Sequence, residues 1–176
     1  MEVLRGFGLV RCYVFFVIDI ATLRVHIAGI TDQPSEAWMN QVARNLTDCV
    51  DGFLKQTRYL SLDRDPRYTK VFRTMLKEVS VEIVRLLSRS PNLNSYAERW
   101  VRSLREECLN RIIPLGEKHL RRTLASYVEH CHMERNHQGL VNRLIEPIAA
   151  NTNAGEGRIR KCQRVGGLLN YYYRAA

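Results

Sequence analysis

Cys12 to Ile20 (CYVFFVIDI) is rich in β-branched and aromatic side chains, and Arg24 to Ile30 (RVHIAGI) alternates apolar with polar or small residues, which is the pattern of strands. Only Ala21-Thr22-Leu23 separates the two, so they predict an antiparallel hairpin. Pro34-Ser35-Glu36 then reads as a helix start, and Trp38, Met39, Val42, Leu46 and Cys49 follow at three-to-four spacing until Gly52. Arg58 to Leu62 (RYLSL) is a short strand that stops at Asp63-Arg64-Asp65-Pro66, where the proline ends sheet pairing. Val71, Phe72, Met75, Leu76 and Val79 predict a second helix, Val81 to Leu86 another strand, and Ser88 to Asn92 a loop.

Two longer helices come next. One runs from about Asn94 to Ile112 with Ala97, Trp100, Val101, Leu104 and Cys108 inward; the other covers Glu117 to Glu134 with Leu120, Leu124, Tyr127, Val128 and Cys131 inward. From Ala149 the periodicity fails, and residues 148–176 read as a linker and a basic, aromatic-ending tail after a core of 1–147. Hairpin, helix, strand, helix, strand and helix give an α/β layout with a small mixed sheet.

With 176 residues, 45% of them apolar and 26% charged, the chain suits one domain with a core of its own. A formal charge of +9 favours a polyanionic partner, nucleic acid or an anionic membrane. The longest apolar run, Cys12 to Ile20, is too short to span a bilayer, which leaves nucleic acid as the expected partner. Cys12, Cys49, Cys108, Cys131 and Cys162 are odd in number, scattered and never in a CxxC pair, so they read as reduced thiols of a cytoplasmic protein.

Two carboxylates stand out by position. Asp63 follows a strand, at the end where open α/β sheets present ligand sites, and Glu98 sits on the first turns of the long helix. Asn94, Glu98, Arg102 and Arg105 share a face distinct from the Trp100 stripe. Two hard oxygen ligands flanked by arginines suit Mg²⁺ or Mn²⁺ beside a phosphodiester. Glu98 with Arg102 is equally an ordinary surface pair, and Asp63 with Asp65 an ordinary strand-end turn; spacing alone favours those readings.

Resemblance shifts the balance. The segments LDRDPRYT (62–69), SPNLNSYAERW (90–100) and ERNHQGL (134–140) resemble, in order and spacing, the integrase core of bacterial insertion-sequence transposases related to retroviral integrases. The similarity spans most of residues 2–147, with Asn136 where the family's closing motif has proline. The resemblance implies an RNase H-like fold, metal-dependent cutting and joining of DNA, and self-association, with Asp63 and Glu98 as catalytic metal ligands. It also implies an opening aspartate ahead of the hairpin. Asp19 matches a hairpin-turn position instead, and counting back puts that aspartate before Met1, so the first strand is expected to be incomplete and activity impaired.

Arg99 on the same helix, His137 in the closing loop, and Arg158, Arg160, Lys161 and Arg164 in the tail are further candidate DNA contacts. Tyr171, Tyr172 and Tyr173 beside them suit stacking on bases; alternatively Leu168, Leu169 and the tyrosines fold onto the core. Zinc at His130, Cys131, His132 and His137 is disfavoured, because consecutive residues point to different helix faces. No GxSxG elbow or GxxxxGK[ST] loop is present. Three functions compete: a transposase core, a DNA-binding remnant without chemistry, and an RNase H-like nuclease.

Overall fold

In the computed structural model, residues 1–6, 8–86, 94–146 and 158–174 are described. The loop expected at 88–92, with the start of the second motif, and the linker from Ala149 lie outside them. The expected hairpin forms: β3 (Tyr13–Ile18) pairs antiparallel with β4 (Val25–Thr31), with a bulge where Phe15 faces Gly29 and Phe16 faces Ile27. Asp19 closes its turn, taking hydrogen bonds from the Ala21 amide at 2.9 Å and the Thr22 hydroxyl at 2.6 Å. α1 (Glu36–Leu46) starts where Ser35 predicts, its Oγ accepting the Trp38 amide at 3.2 Å. Then β5 (Tyr59–Leu62) runs parallel to β6 (Glu82–Arg85), joined by α2 (Lys70–Glu78), which Thr69 caps in the same way.

Strand alternation sorts the core into two clusters. Phe15, Val17 and Ala28 turn toward α1, α2 and the inner faces of Leu62 and Ile83, where Phe72 and Leu76 are fully buried. Val14, Ile27 and Ile30 turn the other way, toward α3 (Ser95–Glu107) and α4 (Gly116–Met133), where Leu120, Leu124 and Tyr127 are buried. Helices therefore cover both faces of the strands. Among the described residues β3 pairs only with β4 and β5 only with β6, so the edge of β3 away from β4 carries no strand. No described helix is long and apolar enough to cross a membrane.

Three elements depart from the sequence pattern. Residues ahead of Cys12 form a hairpin, β1 (Glu2–Arg5) with β2 (Gly8–Arg11), turned by Gly6 at φ +59°. Its ladder closes on reciprocal bonds between Met1 and Cys12, and Val3 packs into the α4 cluster. α3 ends at Glu107, ahead of the expected Ile112: Cys108 leaves helical geometry and a short 3₁₀ turn over Leu109–Arg111 leads to Pro114. The expected tail is instead a third antiparallel hairpin, β7 (Ile159–Arg164) with β8 (Leu169–Arg174), turned by Gly166 and Gly167 at positive φ. Leu169 is buried beside α4, the energetic reason the segment folds back.

All five cysteines are free. Burial pushes the Cys108 and Cys131 thiols up to about 11, so both stay protonated and unreactive at neutral pH.

Close packing makes two predictions. A methyl group on Gly29 would sit 2.6 Å from Trp38 Cζ2 and 3.2 Å from Cη2. Gly29→Ala is therefore expected to cost about 1–2 kcal/mol by urea unfolding, and Trp38→Leu in the same chain should return part of it. His132 is buried, and its Nε2 accepts the Val25 amide at 3.0 Å, tying α4 to the hairpin turn. Burial holds its pKa below the ordinary histidine value, outweighing the nearby Glu146 carboxylate. The unfolded chain then binds the proton at higher pH than the folded one, so stability is complete above about pH 6.5 and falls as the pH drops below it. The melting temperature should decline between pH 7 and 5, and less so in His132→Gln.

Candidate nucleic-acid interface

α3 follows an N-cap Asn94 that makes no side-chain capping bond, which leaves its amide free to face outward. Spacing of three and four residues then stacks Glu98, Arg102 and Arg105 above it. These four side chains line one wall of an open cleft of about 530 Å³, with Ala97, Val101, Glu106 and Asn110 beside them and Phe16 of β3 opposite. Ala97 and Val101 are half-buried cleft residues here, in place of the core positions that periodicity suggests. Trp100 anchors α3 beside the cleft, its ring 4.4 Å from that of Phe16 and edge-on to Tyr127.

The far end of α3 is anchored by Glu107. Its Oε2 accepts from Tyr127 at 3.1 Å and from Arg135 at 2.7 Å, bonds that lock α3 to α4. Neither Glu98, Arg102 nor Arg105 has an ion-pair partner among the described residues. The cleft therefore holds two carboxylates, Glu98 and Glu106, and two guanidinium groups, none of them ion-paired among the described residues.

Asp63 leaves the carboxyl end of β5 exposed to solvent. One of its oxygens accepts the Asp65 amide at 3.0 Å, an Asx turn that fixes the carboxylate without neutralising it. Asp65 is committed elsewhere: its carboxylate takes the Arg67 amide and guanidinium, and those bonds hold its pKa below the usual range. Asp63 does not line the α3 cleft. As ligands for Mg²⁺ or Mn²⁺, Asp63 and Glu98 fit in kind, being hard oxygen donors. In number they are incomplete: no three His, Cys, Asp or Glu side chains among the described residues are grouped so as to hold a metal ion.

The other candidates lie apart from the cleft. Arg99 points away, over the Tyr96 ring at 6.0 Å. His137 Nε2 donates to the Cys131 carbonyl at 2.7 Å, capping the end of α4. Arg158, Arg160 and Lys161 are exposed on and just ahead of β7. Arg164 is engaged internally, its guanidinium bonded to Glu129 and Glu134 of the α4 region. Phe16, the apolar wall of the cleft, was not identified from the sequence, because its place opposite α3 depends on tertiary packing.

Residues 79–144 match the family model of an integrase core domain, a stretch that holds Glu98 and His137 but not Asp63. No curated protein matches the chain. Among solved structures it is similar to a chain of the simian T-cell lymphotropic virus intasome in complex with PP2A regulatory subunit B56 gamma. The TM-score is 0.55 at 12% identity over 99% of this chain. The chain spans 64% of the length of that neighbour. The fold is thus α/β and RNase H-like.

Proposed function

We propose that the chain is a DNA-binding core of integrase or transposase type, with Asp63 and Glu98 as carboxylates that would hold Mg²⁺ or Mn²⁺ for cutting and joining DNA. The observation that carries this reading is the α3 cleft, where Glu98 stands between Asn94, Arg102 and Arg105 with no internal partner. A carboxylate buys nothing for folding there, and arginines beside it suit a phosphodiester. The match to an integrase core model over the same helix, and the intasome neighbour, support the class of substrate and association between copies. A divalent cation, when bound, supplies charge neutralisation at phosphate and a more acidic water or hydroxyl nucleophile. Arg102 and Arg105 would position the strand, and Phe16 would keep one wall of the cleft dry.

One observation favours a second reading. The incomplete carboxylate set among the described residues suits a core that binds DNA and does little chemistry alone. The deciding experiment incubates the chain with end-labelled DNA in Mg²⁺ or Mn²⁺ and resolves the products. Joined strands, lost in Asp63→Asn and Glu98→Gln, would establish the transposase; cut strands without joining would establish a nuclease. Duplex binding with no metal-dependent product would establish the DNA-binding remnant.

A further inference from the structure

A second groove lies between α4 and the turn of the C-terminal hairpin. It has a volume of about 360 Å³ and is lined by Ile112, His119, Arg122, Thr123, Ser126 and the Val165–Gly166 turn. His119, Arg122, Thr123 and Ser126 fall at i, i+3, i+4 and i+7, so one helical face carries all four. The opposite wall is fixed by two contacts: Leu169 is buried in the core, and Arg164, next to the turn, is clamped by Glu129 and Glu134. The groove is thus preformed, and it requires no movement of the hairpin.

Its polar lining is donor-rich and contains no carboxylate. Arg122 is exposed and has no ion pair, and the Thr123 and Ser126 hydroxyls make no hydrogen bond among the described residues. The Leu115 amide donates to His119 Nδ1 at 3.0 Å, so that nitrogen is an acceptor and the ring proton sits on Nε2, as a further donor. Acidic side chains nearby are already spoken for: Glu117 pairs with Arg121 at 2.8 Å, and Glu129 with Arg164 at 2.7 Å. An unneutralised guanidinium, two hydroxyls and an imidazole N–H describe a seat for an oxyanion.

We propose that this groove seats a backbone phosphate of duplex DNA on Arg122, His119 and Ser126, as a second contact separate from the α3 cleft. The proposal rests on the nucleic-acid reading above, but not on any chemistry at Asp63 or Glu98. A phosphodiester fits better than a free phosphate ion because one guanidinium on an open groove holds a lone anion weakly. The same contact gains from every other contact along a polyanion. Ile112 and Val165 offer the sugar an apolar surface.

The test uses the full chain and a fluorescein-labelled duplex, titrated by anisotropy across a range of salt concentrations, with backbone amide NMR as a second readout. Arg122→Gln should make the slope of log affinity against log salt shallower by about 0.9, the value of one phosphate contact. Arg121→Gln, on the same helix but outside the groove and already paired to Glu117, should leave the slope at the wild-type value. Duplex should also shift the Ser126 and Gly166 amides. A wild-type slope in Arg122→Gln, or a chain that binds no duplex, overturns the proposal. Amide shifts with inorganic phosphate but not with duplex would overturn it in favour of a free anion. Loss of binding in Arg122→Gln alongside unchanged binding in Arg102→Gln would uphold this groove and sink the cleft reading instead.

Discussion

Arg164→Ala is expected to lower the unfolding free energy by about 3 kcal/mol and to release the C-terminal hairpin. The Glu134 side chain is only 6% exposed, and its carboxylate accepts from Arg164 at 2.8 Å and 2.6 Å and contacts His130 Nδ1 at 2.8 Å. Burial pushes the Glu134 pKa up, but the bonds from Arg164 and His130 together outweigh it and hold the group below its usual range. Glu129 adds two more bonds to the same guanidinium, at 2.7 Å and 2.9 Å.

Without Arg164 the fold retains a buried Glu134 carboxylate that has lost its main counter-charge, and removing one member of such a cluster costs more than the pair contributes. Arg164→Met with Glu134→Gln should regain much of the loss, because the replaced cluster leaves no unpaired charge. Urea unfolding measures the free energies, and amide hydrogen exchange locates the damage. Protection should vanish across β7 and β8 first, while β3 and β4 keep theirs. A loss under about 1 kcal/mol would reduce the cluster to ordinary surface pairs. This engagement also changes the reading of Arg164 as a DNA contact: its donors are spent within the fold.

The contrast between Arg164 and Arg102 shows what a sequence of this kind reveals. Both are arginines in basic, polar surroundings. That Arg102 shares a face with Asn94, Glu98 and Arg105 follows from helical geometry over a few residues, and the cleft lining bears that geometry out. The partners of Arg164 lie 30 and 35 positions away in sequence, on another element, and no local pattern names them. The β3–β4 hairpin and the Ser35 helix start were legible for the same reason as the α3 face: each depends on neighbours.

The terminal hairpins were not legible as such. β1 and β2 bury little beyond Val3, so their alternation is faint. In β7 the charged IRKCQR reads as a tail, although the alternation of Leu169, Tyr171 and Tyr173 in β8 and the Gly166-Gly167 turn were the signals that could have identified the hairpin. Missing that hairpin also meant missing the His119–Arg122 groove, which has no second wall without it. Asp63 and Glu98 stood out by position, one after a strand and one on the first turns of a helix, and only the resemblance made them a metal-ligand pair.

Glu98→Gln is expected to act on binding and on chemistry in opposite directions. In metal-free solution the Glu98 carboxylate repels a phosphodiester lying between Arg102 and Arg105, so its removal should tighten duplex binding a few-fold, on the order of 1 kcal/mol for one charge at close range in water. In Mg²⁺ or Mn²⁺ the same change removes the proposed metal ligand, and any cutting or joining should fall to background. Arg102→Gln with Arg105→Gln should do the reverse to binding, making the salt slope shallower by about 1.8 for two lost phosphate contacts. Asp63→Asn separates the two roles. Asp63 lies outside the cleft lining, so duplex affinity should hold at the wild-type value while metal-dependent products disappear. Anisotropy titrations in EDTA and product gels in Mn²⁺ measure the two effects on the same variants. If Glu98→Gln weakens metal-free binding instead, the carboxylate is a structural partner of its arginines, and the α3 cleft is not where the backbone of DNA lies.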